Sequence, residues 1–201
     1  GSGYTIVGFV AMGSGERTID DARPRAAIAN LSDHVVALGA GEVVLAMEEV
    51  RAILNAMHGV PRLVAALLYG SGMRVGEALA LRVKDVDFRA GTITVRAGNG
   101  AKDRVAILPG RVRDSMHRLA LWRLALHKRD LARGDGHAPL PGALERKYPS
   151  ASRAFGWQFL FASSAVRPCP GSGRRLRWHL SPSTVQEAFH EALRITGCHK
   201  Q

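Results

Sequence analysis

The run Leu67-Leu68-Tyr69-Gly70-Ser71-Gly72-Met73-Arg74-Val75-Gly76-Glu77-Ala78-Leu79-Ala80-Leu81-Arg82-Val83-Lys84-Asp85-Val86-Asp87-Phe88 decides how the rest of the chain is read. Apolar residues at Leu63, Val64, Leu67 and Leu68 recur at helical spacing, which predicts a helix with that face buried. Gly70 and Gly72 predict its end, because glycine reaches left-handed backbone without steric cost. Arg74 follows at a bend and opens a second short helix, with Glu77 three residues on. At that spacing the carboxylate can lie beside the guanidinium and hold it. Without further context the pair reads as an ordinary surface arginine with a helix neighbour.

Downstream, residues 85–88, 92–97 and 104–108 are short β-prone runs, and Gly98-Asn99-Gly100-Ala101-Lys102-Asp103 separates the last two as a basic tip. They predict a small three-stranded antiparallel sheet. Upstream, Met47, Val50, Ile53, Leu54 and Met57 mark an amphipathic helix facing a core, closed by Gly59-Val60-Pro61. Residues 1–41 carry glycine, alanine and scattered charge without sustained periodicity and read as a poorly ordered or weakly helical segment.

From Arg111 to Arg133, apolar residues at 112, 116, 119, 120, 124, 126 and 131 alternate with basic ones at 111, 113, 118, 123, 128, 129 and 133. Such a helix can pack on one side and meet phosphates, or simply water, on the other. An aromatic and basic stretch follows at about 137–161, ending in Trp157-Gln158-Phe159-Leu160-Phe161. A turn-rich loop at 168–173 then leads to Arg174-Arg175-Leu176-Arg177-Trp178-His179. Ser183 to Ile195 reads as a last helix, with Ser183 as N-cap and Val185, Ala188, Phe189, Ala192 and Leu193 on one face.

The formal net charge of +11, from 28 Lys+Arg against 17 Asp+Glu, predicts attraction to a polyanion, with nucleic acid the first candidate. An anionic membrane surface is the second, but the apolar run Ile6 to Met12 is far too short to span a bilayer, so no membrane partner is expected. The two cysteines, Cys169 and Cys198, lack CxxC spacing and support neither a disulfide framework nor a zinc site. No metal or cofactor is called for, and a reducing cytoplasm fits best. With 46% hydrophobic residues the chain can bury a real core.

The block Leu67 to Leu79, followed by Val83-Lys84-Asp85-Val86-Asp87-Phe88 and the hairpin from Gly91 to Pro109, resembles the first catalytic-arginine block of the tyrosine recombinases, or phage-type integrases. The segment Leu140 to Pro149 with Trp157 to Phe161 resembles the additional segment of integron integrases. The resemblance implies a mostly helical α+β fold: a partial recombinase catalytic domain over residues 42–201, following a 1–41 segment unlike the family's DNA-clamping domain. It implies a bacterial, nucleoid-associated protein whose partner is DNA, as a duplex or a folded single-stranded recombination site. The family assembles as a tetramer on DNA, an assembly that a fragment need not make.

Arg74 falls on the family's first catalytic arginine, with Glu77 as its orienting partner. Arginine suits the role because its planar fork grips two phosphate oxygens and stays protonated. The family's general-acid lysine, set between two glycines at the hairpin tip, matches Asn99, which has no proton to give at neutral pH. Lys102 is the nearest substitute, though its simpler reading is a loop lysine touching phosphate. The implied DNA-binding residues are Asn99, Arg104, Trp157, Arg174, Arg175, Arg177, Trp178 and His179, with Trp157 equally readable as a core residue of the insertion.

The family also needs a His-x-x-Arg box and a nucleophilic tyrosine. No His-x-x-Arg occurs in these residues, and Tyr4, Tyr69 and Tyr148 do not match the nucleophile's context. The expectation is a truncated, inactive, DNA-binding fragment of a site-specific recombinase. The alternative is a non-catalytic basic DNA-binding module.

Overall fold

A computed structural model describes residues 45–96, 102–141, 144–169 and 173–198. The expectations for residues 1–41 and for Asn99 lie outside these residues. Helices α1 (Met47–Ala56) and α2 (Gly59–Ser71) bury Val50, Ile53, Val64, Ala65, Leu67 and Leu68, so the 3.6-residue period does place one face inside. Gly72 closes α2 in the left-handed conformation at φ 65°. Gly70 does not end the helix as expected. It lies in the last turn, where a Cβ would stand 2.5 Å from Pro109 Cγ, so its role is a close approach between α2 and the chain leaving the sheet.

The short helix α3 (Val75–Leu79) leads through a 3₁₀ turn, Val83–Asp85, into β1 (Val86–Asp87), β2 (Thr92–Val95) and β3 (Arg104–Ile107). The three strands form an antiparallel sheet in the order β1-β2-β3, as expected, but each is shorter than its β-prone run. Ile93, Val95 and Ala106 face the core, while Val105 and Ile107 on β3 face solvent at 71% and 73% exposure. Asp87 Oδ1 accepts the N–H groups of Arg89 and Ala90, which fixes the β1–β2 turn.

Helix α4 (Gly110–Ala132) departs from its expected polarity. Its buried stripe is Val112, Met116, Ala120, Arg123, His127 and Asp130, an unbroken i,i+3/i+4 row that is apolar at one end and ionic at the other. After α4 come a one-turn helix α5 (Leu144–Lys147), 3₁₀ turns at Pro149–Arg153 and Phe155–Trp157, and a hairpin of β4 (Arg167–Pro168) with β5 (Arg175–Leu176). That hairpin falls where the sequence indicated only a loop. Helix α6 (Pro182–Thr196) packs on α1 and α2 through Val185, Phe189, Ala192 and Leu193. Its N-cap is Ser181 rather than Ser183, because Pro182 fits the first helical position, where its missing N–H costs nothing.

Candidate phosphate-binding site

Arg74 is the N-cap of α3, with extended backbone at φ −74° and ψ 152°. Buried Met73 on one side and Ala78 and Leu79 on the other fix the bend that presents it. Glu77 Oε2 accepts the Arg74 backbone N–H at 2.8 Å, closing the first turn of α3. The same Oε2 accepts from Arg104 Nη2 at 2.7 Å, and Arg74 Nη1 stands 3.6 Å from Oε1. One carboxylate therefore holds two guanidiniums, one from α3 and one from the first residue of β3. The Arg74 side chain is 77% exposed. An ion pair that open contributes at most about 1 kcal/mol to stability, so the arrangement leaves a cation facing outward more than it holds the fold together. Of the residues singled out in the sequence, Arg74, Glu77 and Arg104 come together here, and exposed Lys102 precedes Arg104 by two residues.

Sequence reasoning missed what braces this hairpin. Asp85, 4% exposed, accepts from the Arg82 N–H through Oδ2 at 3.0 Å and from Arg96 Nε through Oδ1 at 2.7 Å. Arg96 in turn lies 3.5 Å from Asp103 at the far side of the tip. The available signal was an acid placed between Val83 and Val86 in an otherwise apolar stretch, since buried carboxylates are kept only where they are paired.

Arg82 ties the sheet to the 137–161 segment. It donates to the Trp157 and Pro139 carbonyls at 2.5 and 2.8 Å, and its guanidinium carbon lies 4.5 Å from the Phe159 ring centroid. Burial lowers its pKa from the ordinary arginine value. Lys84 Nζ sits 3.2 Å from the Trp157 ring centroid, and burial followed by the nearby Arg96 lowers the lysine's pKa as well. Trp157 is thus half-buried with one ring face covered by a lysine.

The basic run 174–179 divides. Arg177 does not face outward as expected. It is 5% exposed, forms a two-pronged pair with Asp130 at 2.7 Å for each prong, and donates through Nη1 to the Ser163 and Ser164 carbonyls. Its donors are spent on holding the hairpin to α4. Arg123, expected on the phosphate-facing side of α4, is likewise inside at 1% exposure, with Nε donating to the Phe159 carbonyl. Desolvation, then the neighbouring Arg177, brings its pKa down to about 10, so it remains charged at neutral pH.

Arg174 and Arg175 stay at the surface, the first paired with Glu145 at 2.9 Å and the second 3.6 Å from Asp135. Trp178 is 39% exposed. His179 is half-buried, donates Nδ1–H to the Leu180 carbonyl and meets the Phe159 ring edge-on at 5.1 Å. Among the described residues no group of three His, Cys, Asp or Glu is placed to hold a metal ion, and no helix is long and apolar enough to cross a membrane.

Residues 43–200 match the model of the phage integrase family. An integrase/recombinase of Escherichia coli is 44% identical over 162 residues, covering 79% of this chain and 47% of that protein, and one of Pseudomonas aeruginosa matches to the same extent. The tyrosine recombinase XerA of Thermococcus onnurineus is 48% identical over 68 residues, covering 32% of this chain and 24% of its own. The crystal structure of a XerA recombinase shares the fold, with a TM-score of 0.51 and 22% identity over 79% of this chain and 44% of that one. The chain spans about half the length of the integrases it matches, 47% in each case. On the family match and the shared fold together, the chain belongs to the phage integrase family of tyrosine recombinases.

Proposed function

We propose that this chain supplies the phosphate-gripping part of a site-specific DNA recombination centre of the integron integrase type. The observation that supports the reading is the trio of Arg74, Glu77 and Arg104, in which one carboxylate orients two arginines and leaves Arg74 open to solvent. Strand exchange in this family transfers a phosphodiester to a tyrosine hydroxyl and then to a freed 5′-hydroxyl. Each step builds negative charge on the non-bridging oxygens, which a fixed guanidinium stabilises. Removing one such oriented donor from a closed site costs about 10²- to 10³-fold in rate. Lys102, two residues from Arg104, is the cation available near the leaving oxygen.

DNA is the partner in this reading, and a tetramer on DNA the assembly, in a bacterial cytoplasm at the nucleoid. Arg174, Arg175, Trp178 and His179 are assigned to a folded single strand whose protruding bases stack on Trp178. Arg177 and Arg123 are left out of that surface. Stacking on an exposed ring contributes about 1 to 3 kcal/mol per base.

Fluorescence anisotropy with a bulged hairpin and a matched duplex tests the proposal. We expect affinity to fall steeply from about 50 to 200 mM salt, as counterion release requires. Arg74→Ala should weaken binding to both DNAs, and Trp178→Ala should erase the preference for the bulged form. Affinity indifferent to salt would remove the electrostatic basis of the assignment.

A further inference from the structure

We propose that a groove between α1, α2 and the start of α4 is a docking site for an acidic, amphipathic segment of a partner protein. The groove has a volume of about 400 Å³, and Leu54, Leu63, Ala66 and Val112 contribute its apolar floor. Arg51, Arg62 and Arg111 stand around that floor, and no carboxylate lines the groove among the described residues. The hydrogen bond of Arg62 is to a neutral group, the Asn55 amide oxygen at 3.5 Å. A concave aliphatic surface under three arginines, without an anion of its own, is complementary to carboxylates flanking large apolar side chains.

Helix α4 extends the surface. Arg111, Ser115, Arg118 and Trp122 are spaced by four, three and four residues, so they fall on one face. Arg118 Nη2 donates to Ser115 Oγ at 2.9 Å, which lays its guanidinium along the helix. Beyond it, Trp122 is 49% and Leu121 is 55% exposed. Tryptophan and arginine are the side chains that most often carry binding energy between proteins. An amphipathic helix set in an apolar groove, anchored at i, i+3, i+4 and i+7, has the shape and charge that this stripe fits.

The apolar floor favours a protein segment over a nucleic-acid strand. A phosphodiester chain would satisfy the arginines but leave the aliphatic floor uncovered, whereas a peptide's apolar side chains would cover it. The groove's α2 wall begins at the end of that helix away from the phosphate site, while its α4 wall starts at Arg111, two residues after the Pro109 that approaches Gly70. Arg62 is in the first turn, about 13 Å of helix axis from Ser71, and Arg74 lies beyond that.

Anisotropy on this chain with a labelled five-turn helical peptide, about 18 residues, carrying Leu on one face and Glu elsewhere tests the assignment. A second peptide has Ser for each Leu, a third has Lys for each Glu, and the nucleic-acid probe is an oligothymidylate. We expect the Glu/Leu peptide alone to bind with micromolar affinity. The double variant R51E/R111E should weaken it by at least about tenfold and instead accept the Lys/Leu peptide. Arg118→Glu and Trp122→Ala, both at exposed positions, should each weaken it without altering the circular dichroism spectrum. The Glu/Leu peptide binding R51E/R111E and Arg118→Glu as well as the parent would overturn the proposal. So would oligothymidylate binding that is tighter than the peptide's and lost in the same variants, which would mark the groove as a nucleic-acid surface.

Discussion

Arg174 and Arg177 are three residues apart in one basic run, yet burial gives them opposite duties. Removing Arg177 strands the Asp130 carboxylate, 3% exposed, together with two serine carbonyls. Breaking a buried pair from one side costs about 3–5 kcal/mol, and Arg177→Ala should show a loss of that size in urea unfolding. Arg174→Ala removes a pair that is about half exposed on both sides and should fall within about 1 kcal/mol of the parent. Replacing both partners by Arg177→Met with Asp130→Leu should recover only part of the loss, since the carbonyls stay unpaired. Equal stability of the two single variants would refute the division.

His127 gives the same ionic stripe a pH dependence. Its Nε2 donates to the Arg153 carbonyl at 2.9 Å, which leaves Nδ1 unprotonated, buried and without a partner among the described residues. Burial chiefly holds its pKa below the ordinary 6.5, and burial followed by Arg153 does the same for His137. In acid the unfolded chain takes up protons that the folded chain refuses. The contribution is therefore fully present above the unfolded value of 6.5 and is lost as pH falls toward the folded-state values. Unfolding midpoints should drop between pH 7 and 5, and His127→Gln with His137→Gln should flatten that slope. An unchanged slope in the double variant would assign the acid sensitivity elsewhere.

Among the elements, helix and strand positions were legible wherever burial follows periodicity. Leu63 to Leu68 in α2 and Val185 to Leu193 in α6 show this, as do the three β-prone runs that became the sheet. What escaped was any position governed by a distant contact. Arg123, His127 and Asp130 continue the buried row of α4 with polar side chains, so hydrophobicity assigns them to the solvent. Their partners, the Phe159 and Arg153 carbonyls and Arg177, lie far along the chain. The Arg74 to Glu77 pairing was readable because it is local, whereas Arg104 joining the same carboxylate depends on strand register.

Glycine shows the same limit. Gly72→Ala puts an L residue at φ 65° and should cost about 1–2 kcal/mol. Gly70→Ala drives a Cβ into Pro109 and should cost about 1–3 kcal/mol, while Gly110→Ala, with nothing within 4 Å, should be neutral. Thermal unfolding of the three variants would separate them, and a neutral Gly70→Ala would show that α2 and Pro109 can move apart.

For the whole molecule the question is whether a well-placed arginine suffices for chemistry. Orienting a phosphate cannot form a covalent link without a hydroxyl to attack it. Tyr69 is partly buried and its hydroxyl donates to Met47 Sδ at 3.0 Å, while Tyr148 directly follows α5. We therefore expect these 201 residues to form no phosphotyrosine adduct with a suicide DNA substrate, scored as a band that survives denaturation on a gel. An adduct mapping to Tyr69 or Tyr148 would overturn this. In a longer form supplying a His-x-x-Arg box and a tyrosine, adduct formation should be slow, because lost general-acid help costs about 10²- to 10⁴-fold and Asn99 has no proton to give. Comparing Asn99→Lys with Lys102→Ala in that form resolves the source of the proton. A large gain from the first shows that the acid was missing, whereas a large loss from the second shows that Lys102, two residues ahead of the strand whose Arg104 is held by Glu77, had taken it over.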